Sequence, residues 1–189
     1  LASKGQKVGV IDLDIDCPNV MRTLKMEGKL YTNAQKKITP LEKFGIKVLS
    51  MAAIQENPDQ AILWRGPVLT KVVEQFLYDT EWGNLDVLIA DLPPGTGDIP
   101  ITLLNLLKLD GVISVTNPQE LALLDTLKSI NMCKNFGVPI LGIIENMTGK
   151  FFGKPQGKNH RPFQGITYLG SIPMDAKYEN ETSSLKISK

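Results

Sequence analysis

The stretch that most constrains this chain runs from residue 86 to residue 98 and reads DVLIADLPPGTGD. Residues 87–90 form a short, continuous apolar run, which is typical of a strand covered on both faces in a parallel sheet. The run ends at Asp91, and the prolines and glycines that follow prevent any regular continuation. Because open α/β sheets bind ligands beyond the carboxyl ends of their strands, Asp91 is predicted to lie at a ligand-binding edge.

Two interpretations of Asp91 remain open from the residues alone. A hydrophobic strand that ends in an aspartate is how many nucleoside triphosphatases hold Mg²⁺. An aspartate that ends a strand in solvent fits the same pattern without any ligand. Which of the two holds depends on what the other strand ends carry.

The composition indicates a globular protein of ordinary type. The 189 residues are 42% hydrophobic and suit a single α/β domain over the whole chain. A net charge of +1 gives no sign of a nucleic-acid partner or a membrane surface, and no apolar run reaches the ~18 residues of a membrane span. Cys17 and Cys133 are far apart and form no C-x-x-C, so the expected setting is the reducing cytoplasm.

The apolar pattern predicts strands that alternate with helices. Strands are expected at residues 7–13, 46–51, 87–90, 111–116, 138–144 and 166–171. Helices are expected at residues 20–24, 67–78, 101–107 and 120–135, and residues 1–5 are expected to be the last turn of another helix, stopped by Gly5. Residues 25–40 are polar and aperiodic and are predicted to be a loop. In the helix at 120–135, a stripe is expected to face the core, formed by Leu121, Leu124, Leu127 and Ile130. This order predicts a mainly parallel sheet flanked by helices.

Polar side chains follow four of the predicted strands. They are Asp12 with Asp14, then Asp91, Asn117 and Asn146. Because parallel strands present their carboxyl ends at one edge, these side chains are expected to converge there. For the carboxylates near residue 12, a solvated turn before a helix cap at Asn19 is the alternative.

The ordered segments closely resemble the Mrp family of ATP-binding proteins, which belong to the MinD/ParA-like P-loop ATPases. The segments are IDLDIDCPN, ITPLEKFGIKVLSM, ILWRGP, DVLIADLPPGTGD, TNPQELALLD, GVPILGIIENM and LGSIPMD. The resemblance covers about residues 7–175. It implies a P-loop NTPase fold of the MinD-like architecture, binding of ATP and Mg²⁺, ATP hydrolysis, and work as an iron–sulfur cluster carrier or assembly factor.

The resemblance also implies roles for three carboxylates. Asp12 matches a carboxylate near the Mg²⁺ shell, and Asp91 matches the strand-end aspartate that holds Mg²⁺, usually through water. Asp14 matches the catalytic carboxylate that orients or activates the attacking water. In phosphoryl transfer the protein mostly positions groups and stabilises charge, so Asp14 need not be a strong base.

Further residues match the family's nucleotide contacts. Residues 93–97, including Pro93 and Gly95, match the mobile switch that senses the γ-phosphate. Asn146 matches the residue that contacts adenine, to which its amide offers a donor and an acceptor. The segment that packs against the other side of the adenine corresponds to Pro173, Met174 and Asp175. A turn cap for Asn146 and a strand stop for Pro173 are the alternatives.

Two departures from the family pattern limit these expectations. No residues match the family's K-G-G-x-G-K-[ST] phosphate loop, which should lie on a strand and helix before Leu1. Removing an interior strand would leave two strands with unpaired edges, so the loop is expected to belong to the protein but to lie outside these residues. The family's C-x-x-C after the Glu-Asn-Met segment is also missing, and His160 in that loop is expected to be solvated.

Three functional hypotheses remain. The first is an ATPase that forms a homodimer around ATP and passes iron–sulfur clusters to apo-protein recipients. The second is a MinD/ParA-like ATPase that binds or positions partners without a metal cluster. The third is a degenerate paralogue that does not hydrolyse ATP.

Overall fold

The fold is described from a computed structural model, which covers residues 1–54, 66–155, 157 and 163–175. The chain divides into two compact units. Among the described residues, unit 1 consists of residues 1–93 and 98–102, and unit 2 of residues 94–97 and 103–175 with the gaps above. The ILWRGP segment falls mostly outside the described residues, as does His160.

Unit 1 contains the first strands and helices of the chain. The strands are β1 (Val8–Asp12), β2 (Tyr31–Thr32), β3 (Ile38–Thr39), β4 (Leu41–Lys43), β5 (Ile46–Ser50) and β6 (Val87–Asp91). The helices are α1 (Val20–Thr23) and α2 (Gly66–Tyr78), and α3 (Asp98–Leu106) begins in this unit. A short 3-10 turn at Ala2–Lys4 ends at Gly5, which confirms the predicted stop at this glycine, and Gly5 is left-handed with a φ of 84°.

The main sheet of unit 1 has the strand order β4-β5-β1-β6. Strand β1 pairs in parallel with β5 and β6, while β4 pairs antiparallel with β5. Met21 of α1 packs with Val48 of β5 and Ala53 in a buried apolar cluster on this sheet. The prediction of an α/β fold with mainly parallel strand pairing is therefore confirmed.

The prediction of a loop over residues 25–40 was wrong in part. Strands β2 and β3 form a small antiparallel hairpin, in which Tyr31 pairs with Thr39 and Thr32 with Ile38. The turn is closed by Asn33, whose Oδ1 accepts hydrogen bonds from the amides of Gln35 and Lys37. Two-residue strands are too short for an alternating pattern, so their sequence carries no recognisable strand signal.

The burial predicted for residues 87–90 was also wrong. Leu88 and Ile89 of β6 are 37% and 43% exposed, whereas Val8 and Ile11 of the neighbouring β1 are buried. Strand β6 is the last strand of its sheet, and no described strand pairs with its other edge. An apolar strand sequence alone does not show which helices or strands of the described residues pack against its side chains.

Unit 2 contains a three-stranded parallel sheet and its covering helix. Strands β7 (Val112–Thr116), β8 (Ile140–Thr148) and β9 (Tyr168–Pro173) pair in this order, and α4 (Glu120–Asn135) packs on one face. The core between helix and sheet contains Leu123, Ile130, Ile143 and Phe163. The bounds of α4 agree with the prediction, and β8 extends four residues further than predicted.

The leucine stripe predicted for α4 was wrong in its phase. Ile130 is fully buried, but Leu121 and Leu124 are 77% and 49% exposed. Positions three apart drift by about 60° per step on a helix with 3.6 residues per turn, so Leu121 and Ile130 lie on opposite faces. The buried face is instead formed by Leu123, Leu127 and Ile130, at a spacing of four and then three.

No helix in the described part of the chain is long and apolar enough to cross a membrane.

Candidate functional site

Asp12 and Asp91 lie side by side at the carboxyl ends of two parallel strands. The register of β1 and β6 pairs Val8 with Val87 at one end and Asp12 with Asp91 at the other. The amide of Leu13 donates to the backbone oxygen of Asp91 at 2.9 Å, which extends the ladder one residue beyond the pair. The prediction that these strand ends share one edge is therefore confirmed within unit 1.

The Asp12 side chain is fully buried and its carboxylate is well supplied with donors. Oδ2 accepts from Ser50 Oγ at 2.7 Å and from the Val20 amide at 3.2 Å, while Oδ1 accepts from the Asp14 amide at 3.2 Å. Burial raises the pKa of the Asp12 carboxyl, although these hydrogen bonds oppose the shift. In this geometry Asp12 joins β1 to β5 and to the first residue of α1.

Asp91 is exposed, and no described residue donates a hydrogen bond to its carboxylate. Partial burial of the carboxyl group raises its pKa, and the negative charges of Asp12 and Asp14 raise it further. A carboxylate held near like charges without donors is a natural partner for a cation. Asp91 is therefore better placed than Asp12 to contact a ligand.

Asp14 is half-buried in the loop that leaves β1. Its Oδ1 accepts from the Cys17 amide at 3.0 Å, and its own amide is bound by Asp12. The loop is thus folded around two successive carboxylates, which fixes the position of Asp14 relative to the strand end. The three aspartates are close enough that Asp12 and Asp14 both influence the pKa of Asp91.

The carboxylates of Asp91 and Asp12 are suitable ligands for Mg²⁺. No group of three or more His, Cys, Asp or Glu side chains in the described residues has the arrangement of a complete metal site. Mg²⁺ in nucleotide sites is nevertheless bound by only one or two carboxylates, with waters and substrate phosphates completing its shell. Asp91, with Asp12 beside it, meets that requirement.

The segment predicted to be a switch follows β6 as an irregular loop. Pro93 belongs to unit 1, and residues 94–97 belong to unit 2. Gly95 has a φ of 87°, a left-handed conformation that favours glycine, and its oxygen accepts from Ser129 Oγ of α4 at 3.3 Å. The loop then leads into α3, whose first residue is Asp98.

Asn117 follows β7, and Asn146 lies near the end of β8, its paired strand in unit 2. Thr116 at the end of β7 lies opposite Glu145 of β8, so both asparagines are at the same edge of this sheet. The Asn117 side chain accepts from the Gln119 amide at 2.9 Å, which matches a turn cap before α4. The Asn146 Oδ1 accepts from the amide of Met147 at 2.9 Å.

The segment Pro173 to Asp175 lies beside the end of β8. Pro173 pairs with Thr148, and the Met174 amide donates to the Thr148 oxygen at 2.8 Å. Pro173, Met174 and Asp175 are all exposed. The structure thus brings this segment next to the strand that carries Asn146, two residues before Thr148.

Two polar residues of these edges were missed in the sequence. Ser50 ends β5, pairs with Asp12 and is fully buried, and the rule that points to strand-end aspartates also applies to a strand-end serine. Glu145 is 1% exposed and accepts from Tyr168 Oη and the Gly157 amide. Nothing in the sequence distinguishes this glutamate from a solvated one.

A family model described as ParA, NUBPL iron-transfer P-loop NTPase, matches residues 1–187. The chain belongs to this family. The match spans both units, and so includes the Asp12–Asp91 edge as well as the β8–β9 edge.

Relatives of this P-loop NTPase carry iron–sulfur names. The chain is 41% identical over 186 residues to the iron–sulfur cluster carrier protein of Aquifex aeolicus. The alignment covers 93% of this chain but 51% of that protein, so the chain spans about half of the relative's length.

Solved structures confirm the MinD-like fold. A nucleotide-binding protein of Archaeoglobus fulgidus in complex with ADP is 29% identical, with a TM-score of 0.78 over 96% of this chain and 74% of that one. The cell division ATPase MinD of Pyrococcus furiosus is 22% identical, with a TM-score of 0.68 over 95% of this chain and 76% of that one.

The cysteines of this P-loop NTPase do not fit an iron–sulfur cluster. Clusters are usually held by several cysteine thiolates. The chain has two cysteines, of which Cys17 is exposed and Cys133 is buried, and both are free thiols. Burial raises the pKa of the Cys133 thiol, which disfavours the thiolate that metals bind.

Proposed function

We propose that this chain is the nucleotide-binding part of an ATP-hydrolysing protein that serves iron–sulfur cluster transfer or assembly. The observation that carries the ATPase part is the pairing of Asp12 with Asp91 at the carboxyl edge of two parallel strands. Such an edge is where open α/β sheets bind ligands. Membership of a P-loop NTPase family supports the same conclusion.

The residues at the ends of these strands would have separate roles in phosphoryl transfer. A Mg²⁺ ion bound with ATP would neutralise the charge that develops on the phosphate oxygens. Asp91 would hold the hydrated cation and Asp12 would keep the strand edge in place. Asp14 would orient the attacking water, and residues 93–97 would respond to the γ-phosphate. In unit 2, Asn146 would contact the base, with Pro173 to Asp175 beside it.

The phosphate loop is proposed to belong to the same polypeptide but to lie outside these 189 residues. The outer edge of β6 supports this, because no described strand pairs with it, and two apolar side chains of β6, Leu88 and Ile89, are partly exposed. Intact mass spectrometry of the natural protein tests it. A mass well above 20.8 kDa is expected, and a mass near 20.8 kDa would contradict the proposal.

ATP hydrolysis is tested by steady-state turnover of the full-length protein. Asp14→Asn is expected to preserve ATP binding and to lower turnover by about 100-fold or more, in the range of a lost catalytic group. Asp16→Asn is the matched control, since it removes an exposed carboxylate from the same loop. Equal, measurable turnover of the wild type and Asp14→Asn would refute the role of Asp14. No turnover of the full-length wild type would favour the non-hydrolysing paralogue.

Cluster transfer is supported by the names of relatives, and partner binding of the MinD kind is the second candidate. The missing C-x-x-C favours the second candidate. Anaerobic reconstitution with iron and sulfide, followed by absorption spectra, separates them. Visible absorption bands that transfer to an apo-protein are expected for a carrier, whereas a colourless protein with full ATPase activity would favour the MinD-like function.

A homodimer in the cytoplasm is the proposed physical state. The two free cysteines support a reducing compartment, because disulfides are rare there. Light scattering with ATP and with ADP tests the dimer, which is expected to form with ATP. A mass equal to one chain under both conditions would exclude it.

A further inference from the structure

The end of β8 contains a bulge next to Asn146. Along the β8–β9 ladder, Glu145 pairs with Ser171 and Thr148 pairs with Pro173. Two residues of β8 therefore lie between these pairs, whereas β9 has only one. One extra residue is therefore inserted between Glu145 and Thr148. Met147 in this bulge has a φ of 56°, a left-handed conformation that is unfavourable for a residue with a side chain. Such bulges redirect side chains beside functional sites.

The bulge has a simple geometric effect on Asn146. In a regular strand the side chains alternate, so a buried Glu145 would place residue 148 on the exposed face. The extra residue resets this alternation, and Glu145 and Thr148 are both buried, at 1% and 2% exposed. The two residues that project between them are Asn146 and Met147, of which Met147 is 44% exposed.

Glu145 is held in place by polar contacts from two other segments. Its Oε2 accepts from the Tyr168 hydroxyl at 3.1 Å and from the Gly157 amide at 3.3 Å. On the far side of the bulge, Thr148 Oγ1 donates to the oxygen of Ile172 at 3.3 Å. Because a buried carboxylate is unfavourable unless it is hydrogen-bonded, these contacts fix Glu145 in one orientation.

The bulge also sets the direction of the Asn146 amide. Its Oδ1 accepts from the Met147 amide, so this oxygen uses one of its two lone pairs inside the bulge. Among the described residues, no partner takes the other lone pair of Oδ1 or the two hydrogens of Nδ2, so a ligand can use them. This is the donor–acceptor pair that an adenine edge, with its amino group and adjacent ring nitrogen, can match.

We propose that Glu145, held by Tyr168 and Gly157, is a positioning residue that fixes the bulge and so aims the Asn146 amide at an adenine base. This inference rests on the proposed nucleotide function. Glu145 acts through Asn146 and does not touch the nucleotide. Tyr168 is the first residue of β9 and donates its hydroxyl hydrogen bond to Glu145. The same strand ends at Pro173.

The test measures base discrimination by the full-length protein. The dissociation constants of ADP, GDP and inorganic pyrophosphate are compared for the wild type, Glu145→Ala, Glu145→Gln and Tyr168→Phe. Glu145→Ala is expected to lower ADP affinity and the preference for ADP over GDP by about tenfold, as when a residue that orients a ligand-binding side chain is lost. Pyrophosphate affinity is expected to stay within twofold, because pyrophosphate has no base.

The other variants separate positioning from folding. Glu145→Gln keeps a hydrogen-bond acceptor and is expected to restore most of the discrimination, while Tyr168→Phe removes one hydroxyl from an otherwise intact residue and is expected to lose part of it. Glu120→Ala, an exposed glutamate of the same unit, is the control and is expected to bind like the wild type. If Glu145→Ala fails to fold, Tyr168→Phe still provides the measurement.

Asn146→Ala separates two claims, that Asn146 contacts the base and that Glu145 positions Asn146. Loss of discrimination in Asn146→Ala with none in the Glu145 and Tyr168 variants would overturn the positioning role alone. Unchanged discrimination in Asn146→Ala would overturn both the base contact and the positioning role. Equal losses of ADP and pyrophosphate affinity in the Glu145 and Tyr168 variants would show general damage and would also overturn it.

Discussion

Asp12 and Asp91 are opposite each other in the ladder of two parallel strands, yet their surroundings differ sharply. Asp12 is fully buried and its carboxylate accepts three hydrogen bonds, from Ser50, Val20 and Asp14. Asp91 is exposed and accepts none from the described residues. One carboxylate is thus held within the structure of the edge, and the other is open to solvent.

Ser50→Ala is expected to destabilise the protein by about 1–3 kcal/mol, because it leaves the buried Asp12 carboxylate without one of its donors. Urea unfolding at pH 7 measures this change. Ser3→Ala, which alters an exposed serine, is the control and is expected to stay within about 0.5 kcal/mol of the wild type. Equal stability of the two variants would show that the Ser50–Asp12 hydrogen bond contributes little.

Asp91→Asn is expected to stabilise the protein at pH 7 when divalent cations are removed with EDTA. The pKa of Asp91 is raised by partial burial and by Asp12 and Asp14, so the folded state binds its proton more tightly than the unfolded state. Stability is therefore lost as the pH rises from about 3.9 through the raised pKa. Removing the carboxylate recovers less than about 1 kcal/mol, because Asp91 is exposed and screened.

The pH dependence identifies the cause of this gain. Thermal unfolding of Asp91→Asn and the wild type is compared from pH 3 to pH 8, with Asp110→Asn as a control on an exposed aspartate of unit 2. The gain should be present at neutral pH and absent below about pH 4, where the wild-type carboxyl is protonated. A loss of stability in Asp91→Asn at pH 7 would contradict the repulsion inferred at this edge.

Ile130→Ala and Leu121→Ala test the face of α4 that packs on the sheet. Ile130 is fully buried, so its truncation is expected to lower the free energy of unfolding by about 2–5 kcal/mol. Leu121 is 77% exposed, and its truncation is expected to change stability by less than about 0.5 kcal/mol. Chemical denaturation measures the free energy of unfolding of both variants. Similar losses at the two positions would contradict the observed buried face and support the one predicted from the sequence.

The two cysteines are expected to react at very different rates. Cys17 is exposed, whereas Cys133 is buried and its pKa is raised by that burial. Because the thiolate is the reactive form, iodoacetamide at pH 7.5 should modify Cys17 first and Cys133 only on unfolding. Peptide mass spectrometry measures both rates, and Cys17→Ser and Cys133→Ser variants assign them. Comparable rates in the folded protein would contradict the buried position of Cys133.

The sequence was most informative where local pattern decides structure. The bounds of α4, the parallel strands and the stop at Gly5 all follow from apolar periodicity and from the properties of glycine. The aspartates at 12 and 91 could be placed at one edge because parallel strands fix the direction of their ends. Each of these features depends on residues close together in the chain or on a general rule of topology.

What the sequence did not reveal depends on contacts between distant residues. The burial of Glu145 requires Tyr168, which is 23 residues away, and the exposure of Ile89 depends on which strands pair beside it. The exposure of Leu121 is a further example, because residues spaced three apart along a helix do not stay on one face. The bulge at Met147 has no sequence signal, since methionine rarely adopts the left-handed backbone conformation found there.

The most direct test of the proposed nucleotide site is the Mg²⁺ dependence of ATP turnover by the full-length protein with Asp91→Asn. If Asp91 holds the hydrated cation, this variant should need more Mg²⁺ and turn over about 10–100-fold more slowly, as for other outer contacts to a metal. The Asp110→Asn control should behave like the wild type. Turnover and Mg²⁺ dependence of Asp91→Asn equal to those of the wild type would contradict a Mg²⁺–nucleotide site at the ends of β1 and β6.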